Sequence, residues 1–245
     1  MKANDHTNFS LVIACYNESK NIPLLFDEIS ECQKKKEFEV IIINNGSTDN
    51  SKVVLEENKY KLNNLNVINI NNNVGFGNGI KKGIMATKNK VVCYTHGDLQ
   101  IKIENCLKAY EIYENSQDKK IFVKSKRKGR GIVSSIFTIL MSIFNSVFFK
   151  CLIYDIHSQP NLFEKPCPNI VENCPNDMGI DLYFYLYFKK KGFLIRKYKV
   201  YFEKRIYGIG NNDFLIDKIK YSIKSIRNSL EIRKKINEIF KNFKT

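Results

Sequence analysis

The seven cysteines include no C-x-x-C pair, and Cys15, Cys32, Cys93, Cys106, Cys151, Cys167 and Cys174 are odd in number and widely spaced. That argues against a disulfide framework and fits a reduced compartment, with Cys15 and Cys93 acting as small apolar residues in strands. Residues 1–8 lack the apolar run of a secretory leader, so the catalytic part is expected in the cytoplasm. Acidic side chains are also scarce: 25 Asp and Glu face 40 Lys and Arg, leaving a net charge of +15. Such a balance suits an anionic partner, whether nucleic acid, phosphorylated substrate or anionic membrane. No nucleic-acid-binding motif accompanies the charge, which sets the first aside. The many Lys, Asn and Ile residues look like a coding bias, so where the charge clusters matters more than its total. What is present, 245 residues with 43% apolar content, suffices for one full core and a small appendage.

The run 91–95 is apolar and ends abruptly in His96-Gly97-Asp98-Leu99-Gln100. By itself this is either a polar turn or a strand that stops on a metal-capable cluster. Upstream, residues 9–15 form a short β-prone run broken by Tyr16-Asn17-Glu18-Ser19. Ile22, Leu25, Phe26 and Ile29 then recur at helical spacing, predicting a helix over 21–34 with Pro23 in its first turn. A second strand is expected at 39–43, ending at Asn44-Asn45-Gly46-Ser47-Thr48-Asp49, where Asp49 or Ser51 can cap the next helix. Residues 65–70 supply a third strand, and a helix over 76–87 leads to the fourth. Strands separated by helices imply βαβ units, a mostly parallel sheet and a Rossmann-like half. The loops after the first, second and fourth strands then share one sheet edge, gathering Tyr16, Asn45, Asp49 and the His96-Asp98-Gln100 cluster around a crevice.

Four segments in this order, Ala14-Cys15-Tyr16-Asn17-Glu18, Asn44 to Asp49, Asn73-Val74-Gly75-Phe76-Gly77-Asn78-Gly79 and His96 to Gln100, resemble family 2 glycosyltransferases of the GT-A fold. The dolichol-phosphate mannosyltransferase-like branch is the nearest in appearance. The likeness continues through Asp155-Ile156-His157-Ser158-Gln159-Pro160-Asn161-Leu162-Phe163 and Lys191-Gly192-Phe193 to Arg205-Ile206-Tyr207-Gly208, covering about residues 8–210. It implies binding of a nucleotide-diphosphate sugar of UDP, GDP or CDP type, with a divalent cation, Mn²⁺ or Mg²⁺, neutralising the leaving diphosphate. Asp98, His96 and Gln100 are the implied metal ligands, His96 standing where the family usually has a first Asp. Asn44-Asn45 stands where the family commonly has two acidic residues, and Asn45 is expected to meet the base with both a donor and an acceptor. Tyr16 either stacks on that base or buries its edge. Glu18, Ser47 and Asp49 belong to the same donor-binding set. Gly75 and Gly77 would admit the backbone close to ribose and sugar. Arg205, expected at the end of a strand over 200–205, would face the diphosphate.

Residues 119–130 carry seven basic side chains, and Ile132–Phe149 carries none of either sign. On a helix, Ser134, Ser135, Thr138, Ser142, Asn145 and Ser146 fall in one arc of about 120°, opposite Ile, Val, Leu, Met and Phe. The length is about the minimum to span a bilayer, but the polar stripe favours a helix lying on the membrane or packed on the core. The resemblance makes Arg127 and Arg130, helped by Lys126 and Ser134, the candidates for an acceptor phosphate, with Gln159 touching donor or acceptor. Asp181, at the start of an aromatic helix over 182–188, falls near the family's general base, and Asp177 is a base or a helix N-cap. Beyond Gly208 the likeness fades, and Ile209-Gly210-Asn211 replaces a common basic continuation. Residues 214–245 hold nine basic and three acidic side chains with Ile219, Ile223, Ile226, Leu230, Ile232, Ile236, Ile239 and Phe243 at helical steps. This basic amphipathic helix suits a lipid surface or folds back on the domain.

The expectation is therefore an inverting, metal-dependent glycosyltransferase, peripheral at the cytoplasmic membrane face, moving sugar to a polyprenyl phosphate. Two alternatives stand beside it: transfer to a hydroxyl of a cell-surface glycan or glycolipid, and a degenerate, non-catalytic nucleotide-sugar-binding module.

Overall fold

The computed structural model describes residues 8–207 and 215–242. Gly208, Ile209, Gly210, Asn211 and Phe243, to which the sequence drew attention, lie outside the described residues.

Strand β1 (Phe9–Cys15) is buried along its length and sends Phe9, Leu11, Ile13 and Cys15 to one face and Val12 to the other, the alternation that a pleated strand imposes. Helix α1 (Ile22–Lys35) follows, then β2 (Glu39–Asn45), α2 (Ser51–Asn58), β3 (Leu65–Ile70), α3 (Phe76–Ala86) and β4 (Val91–His96). These four strands pair in parallel in the order β3-β2-β1-β4, as the alternating pattern predicts. Asp49 acts one residue earlier than a helix cap: its carboxylate accepts from the Ser51 amide at 2.9 Å and the Ser19 amide at 3.1 Å.

The second half is less regular. Helix α4 (Glu104–Glu114), strand β5 (Ile121–Lys128), helix α5 (Ile132–Phe149), strand β6 (Asn161–Glu164), helices α6 (Pro168–Glu172) and α7 (Gly179–Lys190), strand β7 (Leu194–Tyr201) and helix α8 (Leu215–Asn242) complete the fold. Strand β6 runs antiparallel between β4 and β5, and β7 closes the seven-stranded sheet at the far edge. Most of the basic run is thus an internal strand, β5, although Lys119, Lys120 and Lys128 remain exposed. Lys124 is buried in it, its ammonium donating to the carbonyls of Ile156 (2.6 Å) and Ser158 (2.8 Å), and burial pushes it down to about 8. The strand expected over 200–205 ends at Tyr201, and Arg205 sits on the loop beyond. As an edge strand, β7 exposes most of its polar side chains and so lacks the apolar run that marks a central one.

Helix α5 is turned opposite to an ordinary surface helix. Its polar stripe faces the protein: Asn145 is fully buried and accepts from Ser229 of α8 at 2.9 Å, while Ser146 and Ser142 accept from the Ile153 and Asp155 amides at 2.9 and 3.2 Å. The apolar side chains face outward, Val147 at 74% and Ile143 at 57% exposure. The first half of α8 likewise exposes Ile216, Ile219, Ile223, Ile226 and Leu230, whereas Ile232 and Ile236 are buried.

Candidate active site

The loops after β1 and β2 are laced together at the carboxyl edge of the sheet. The amides of Asn17 and Glu18 donate to the hydroxyls of Ser47 and Ser51, both at 3.0 Å, and Asn17 Oδ1 accepts from the Thr48 amide at 2.8 Å. Ser47 and Asp49 are therefore occupied in holding the crevice wall. Burial pushes the Asp49 carboxyl up, but the bonds from Ser51 and Ser19 outweigh it and leave it below the usual range. Tyr16, one residue before this lacing, is exposed, as a base-stacking ring must be.

Two expected donor contacts serve the protein instead. Asn45 is buried, its amide donating to the Gly75 carbonyl (3.2 Å) and to Asn73 (3.3 Å), so its side chain fixes the 73–75 loop and is not presented to a base. Gly75 adopts φ +88°, and a Cβ there would lie 2.4 Å from the Asn176 carbonyl oxygen; at Gly77 it would lie 2.3 Å from that of Pro175. These glycines admit the 175–177 segment, which also takes a bond from the Asn78 amide. Sequence cannot separate a glycine that admits a ligand from one that admits another loop.

At the end of β4, His96 packs against Phe76, ring centroids 4.4 Å apart. Burial holds its imidazole below the usual histidine range despite the Asp98 and Asp181 carboxylates, keeping it in the neutral form that ligates metals. Asp98 Oδ1 accepts from the Gln100 amide (3.2 Å), and Oδ2 pairs with Arg205 at 2.8 Å. The same guanidinium reaches Glu18 at 3.3 Å. Burial raises the Glu18 carboxyl even against its bonds with Asn21 and Arg205. Arg205 is carried here by a two-way clasp in which the Glu203 amide donates to the Gln100 carbonyl (2.8 Å) and Gln100 Nε2 to the Glu203 carbonyl (3.4 Å). Glu18, Asp98 and Arg205 thus form one charge cluster, and the Glu18–Arg205 pairing, across 187 residues, left no sequence signal.

No cluster of three or more His, Cys, Asp or Glu side chains suited to a metal occurs among the described residues. The donor set nonetheless fits an ion that takes most of its ligands from a substrate diphosphate, since one carboxylate and a neutral imidazole suffice for such a site. Asp98 and His96 are the side chains placed for it, while the Gln100 amide nitrogen is engaged with Glu203.

On the acceptor side, Arg127 is not free for phosphate. Its backbone and guanidinium both bond Asp155, an ion pair almost wholly buried. Arg130 bonds Thr138 of α5, and burial beside Arg127 lowers it to about 10. Both guanidiniums flank the Phe202 ring at 5.5 and 5.6 Å, and Lys126 lies over Tyr154 at 4.6 Å. Ser134, half-buried, gives its carbonyl to the Thr138 hydroxyl. Asp181 and Gln159 are buried and bond one another at 3.2 Å. Asp181 also accepts from Tyr94 (2.6 Å) and Asn161 (3.1 Å), so it is no open base at the crevice. Asp177 accepts from the Gly179 amide and from Asn228 of α8, both at 2.9 Å, and pairs with Lys224 at 3.1 Å. It sits one residue before the N-cap of α7, Met178, as Asp49 sits before that of α2.

The family model described as "Glycosyl transferase family 2" matches residues 10–149. An undecaprenyl-phosphate 4-deoxy-4-formamido-L-arabinose transferase of Proteus mirabilis is 32% identical over 124 residues, 49% of this chain and 37% of that protein. A dolichyl-phosphate beta-glucosyltransferase of Saccharomyces cerevisiae is 24% identical over 164 residues, covering 63% of this chain and 49% of its own length. An uncharacterized glycosyltransferase, YkcC, of Bacillus subtilis is 27% identical over 126 residues, or 51% and 39%. The chain spans between a third and a half of the length of these relatives. Among solved structures, glucosyl-3-phosphoglycerate synthase from Mycobacterium tuberculosis, in complex with Mn²⁺, UDP and glucosyl-3-phosphoglycerate, superposes with a TM-score of 0.71. It covers 93% of this chain and 80% of its own at 16% identity, which fixes the fold as GT-A.

Proposed function

The chain belongs to glycosyl transferase family 2, whose model spans more than half of it, and from that premise we propose a metal-dependent, inverting transfer of sugar from a nucleotide-diphosphate donor to a polyprenyl phosphate. The relatives named for dolichyl and undecaprenyl phosphate support the acceptor class, and the UDP held by the structural neighbour supports the donor class. The observation that carries the reading is the orientation of α5. Among the described residues it is the one helix long and apolar enough to cross a membrane, yet only 11% of it is buried. Its polar stripe is spent on Asn145, Ser142 and Ser146 contacts with the protein, so the exposed Ile and Val side chains are left for lipid. Helix α5 then lies along the cytoplasmic face of the membrane without itself spanning it.

Tyr16 stacks on the base, and the diphosphate faces Arg205 across the crevice from Asp98. A divalent ion, when bound at Asp98 and His96, supplies positive charge to the leaving diphosphate. Arg205, now paired with Asp98 and Glu18, would exchange those carboxylates for the phosphate oxygens, a charge-assisted contact of the same kind. Arg130, which shares the Phe202 ring with Arg127, and Lys126, over Tyr154, bind the acceptor phosphate. The test is transfer of labelled sugar from UDP, GDP and CDP donors to undecaprenyl phosphate in vesicles. Label is expected in the lipid extract and lost in Asp98→Ala.

A further inference from the structure

Asp181 meets His157 from a fixed position. Its Oδ1 is held by Tyr94, Gln159 and Asn161, and its Oδ2 faces His157 Nδ1 at 3.3 Å. In the neutral ring, an Nδ1 proton donated to that carboxylate leaves Nε2 an acceptor with an open lone pair. Nε2 is buried and has no hydrogen-bond partner among the described residues. Folded proteins rarely leave such an atom unmatched without a ligand or a function for it.

The ring lines a cavity of about 30 Å³, with Asp177, Tyr221, Lys224, Ser225 and Asn228 among the other walls. That is room for one oxygen-sized group in a polar setting. The ring is tied to both halves of the site through the chain: Asp181 bonds Tyr94 of β4, two residues before His96, and Asp155, two residues before His157, pairs with Arg127. Tyr221 of α8 stands edge-on to the His157 ring at 5.6 Å.

We propose that His157, positioned by Asp181, is a catalytic residue that takes the proton from the acceptor's attacking oxygen. This rests on the glycosyl-transfer reading above. As the acceptor oxygen bonds the anomeric carbon, its O–H proton passes to Nε2. The bond from that carbon to the donor phosphate breaks, and its electron pair leaves with the nucleoside diphosphate. The ligand class is an oxygen that still bears a proton: a singly protonated phosphate monoester or an alcohol. The charged and titratable groups facing His157 are Asp181 with its partner Tyr94, Lys124 under the flanking Ile156 and Ser158 carbonyls, Asp177, and Tyr221 and Lys224 of α8.

The test begins with the intact chain labelled with [¹⁵N]histidine. The free protein should show His157 protonated at Nδ1 and bare at Nε2, and the Nε2 resonance should shift with farnesyl phosphate or with octyl glucoside as hydroxyl probe. No shift with either overturns the proposal, whether or not turnover is observed. Kinetically, His157→Gln, whose amide can keep the bond to Asp181, should lose about 100-fold in kcat. With a polyprenyl phosphate acceptor that loss should narrow as pH rises through about 6, the phosphate's second pKa, because the dianion carries no proton for His157 to take. With a glycan hydroxyl it should persist at every pH. A loss under about threefold with both acceptors contradicts the assignment. Asp181→Asn, free to present either amide atom to Nδ1, should mix the two ring tautomers and lower kcat with less effect on KM. Failure of the wild-type protein to transfer sugar would count against the function proposed above and leave the ring-nitrogen measurement to decide His157.

Discussion

The donor half, β1 to β4, and the acceptor half, β5 to α8, obey opposite rules. In the first, the inner strands β1, β2 and β4 are apolar and buried, and polar residues gather in the loops at the sheet edge. In the second, a lysine and an Arg–Asp pair are buried in or beside a strand, while a row of isoleucines faces outward. Water alone explains the first arrangement. The second is the arrangement that the proposed function asks for, with lipid on the outer face and a charged acceptor met from inside.

Variants that probe each half should therefore fail in different ways. Asp155→Ala leaves the Arg127 guanidinium buried without its partner and should cost about 3–5 kcal/mol of stability, read by urea unfolding. Asp98→Ala should instead leave unfolding unchanged and remove about 3 kcal/mol of transition-state stabilisation, read as a fall of about 100-fold or more in kcat/KM. Gly75→Ala strains a φ of +88° and presses a Cβ on the Asn176 carbonyl. A loss of about 1–3 kcal/mol in stability is expected, with weakened UDP binding by calorimetry. Ile143→Asn, on the outer face of α5, should change stability by less than about 0.5 kcal/mol while reducing sedimentation with anionic vesicles; an equal loss of both would make α5 an ordinary core helix.

Acid offers a further way to divide them. Burial raises the Asp155 carboxyl but Arg127 lowers it further, so its folded pKa lies below the unfolded value of about 3.9. A depressed carboxylate stabilises the fold above the unfolded pKa, and that contribution is lost as pH falls through the folded value. The stability gap between wild type and Asp155→Asn should therefore be full at pH 6 and shrink below about pH 4.

The donor half was legible because its chemistry sits where its pattern stops. The strands at 9–15 and 65–70 have the boundaries that their β-prone runs suggest, and Asp98, His96 and Tyr16 line the expected edge; in the acceptor half the helix at 132–149 alone was as plain. The acceptor half hid itself. Strand β5 was obscured by Lys124, Lys126, Arg127 and Lys128, and β6 is only four residues long. Asp181 and Gln159 looked like site residues but are held in a buried network, and Arg127 has its charge answered within the chain. Asn45, Gly75 and Gly77 are taken up by the 73–77 and 175–177 loops. Buried polar groups such as these follow from pairings distant in sequence, which no local period records.

The central claim is that the lipid-facing half receives the sugar. Purified protein on vesicles carrying undecaprenyl phosphate, supplied with radiolabelled nucleotide sugars and Mn²⁺, should place label in the organic extract, and Ile143→Asn should lower that yield without changing UDP affinity. Label confined to water-soluble product, unaffected by vesicles or by Ile143→Asn, would contradict it.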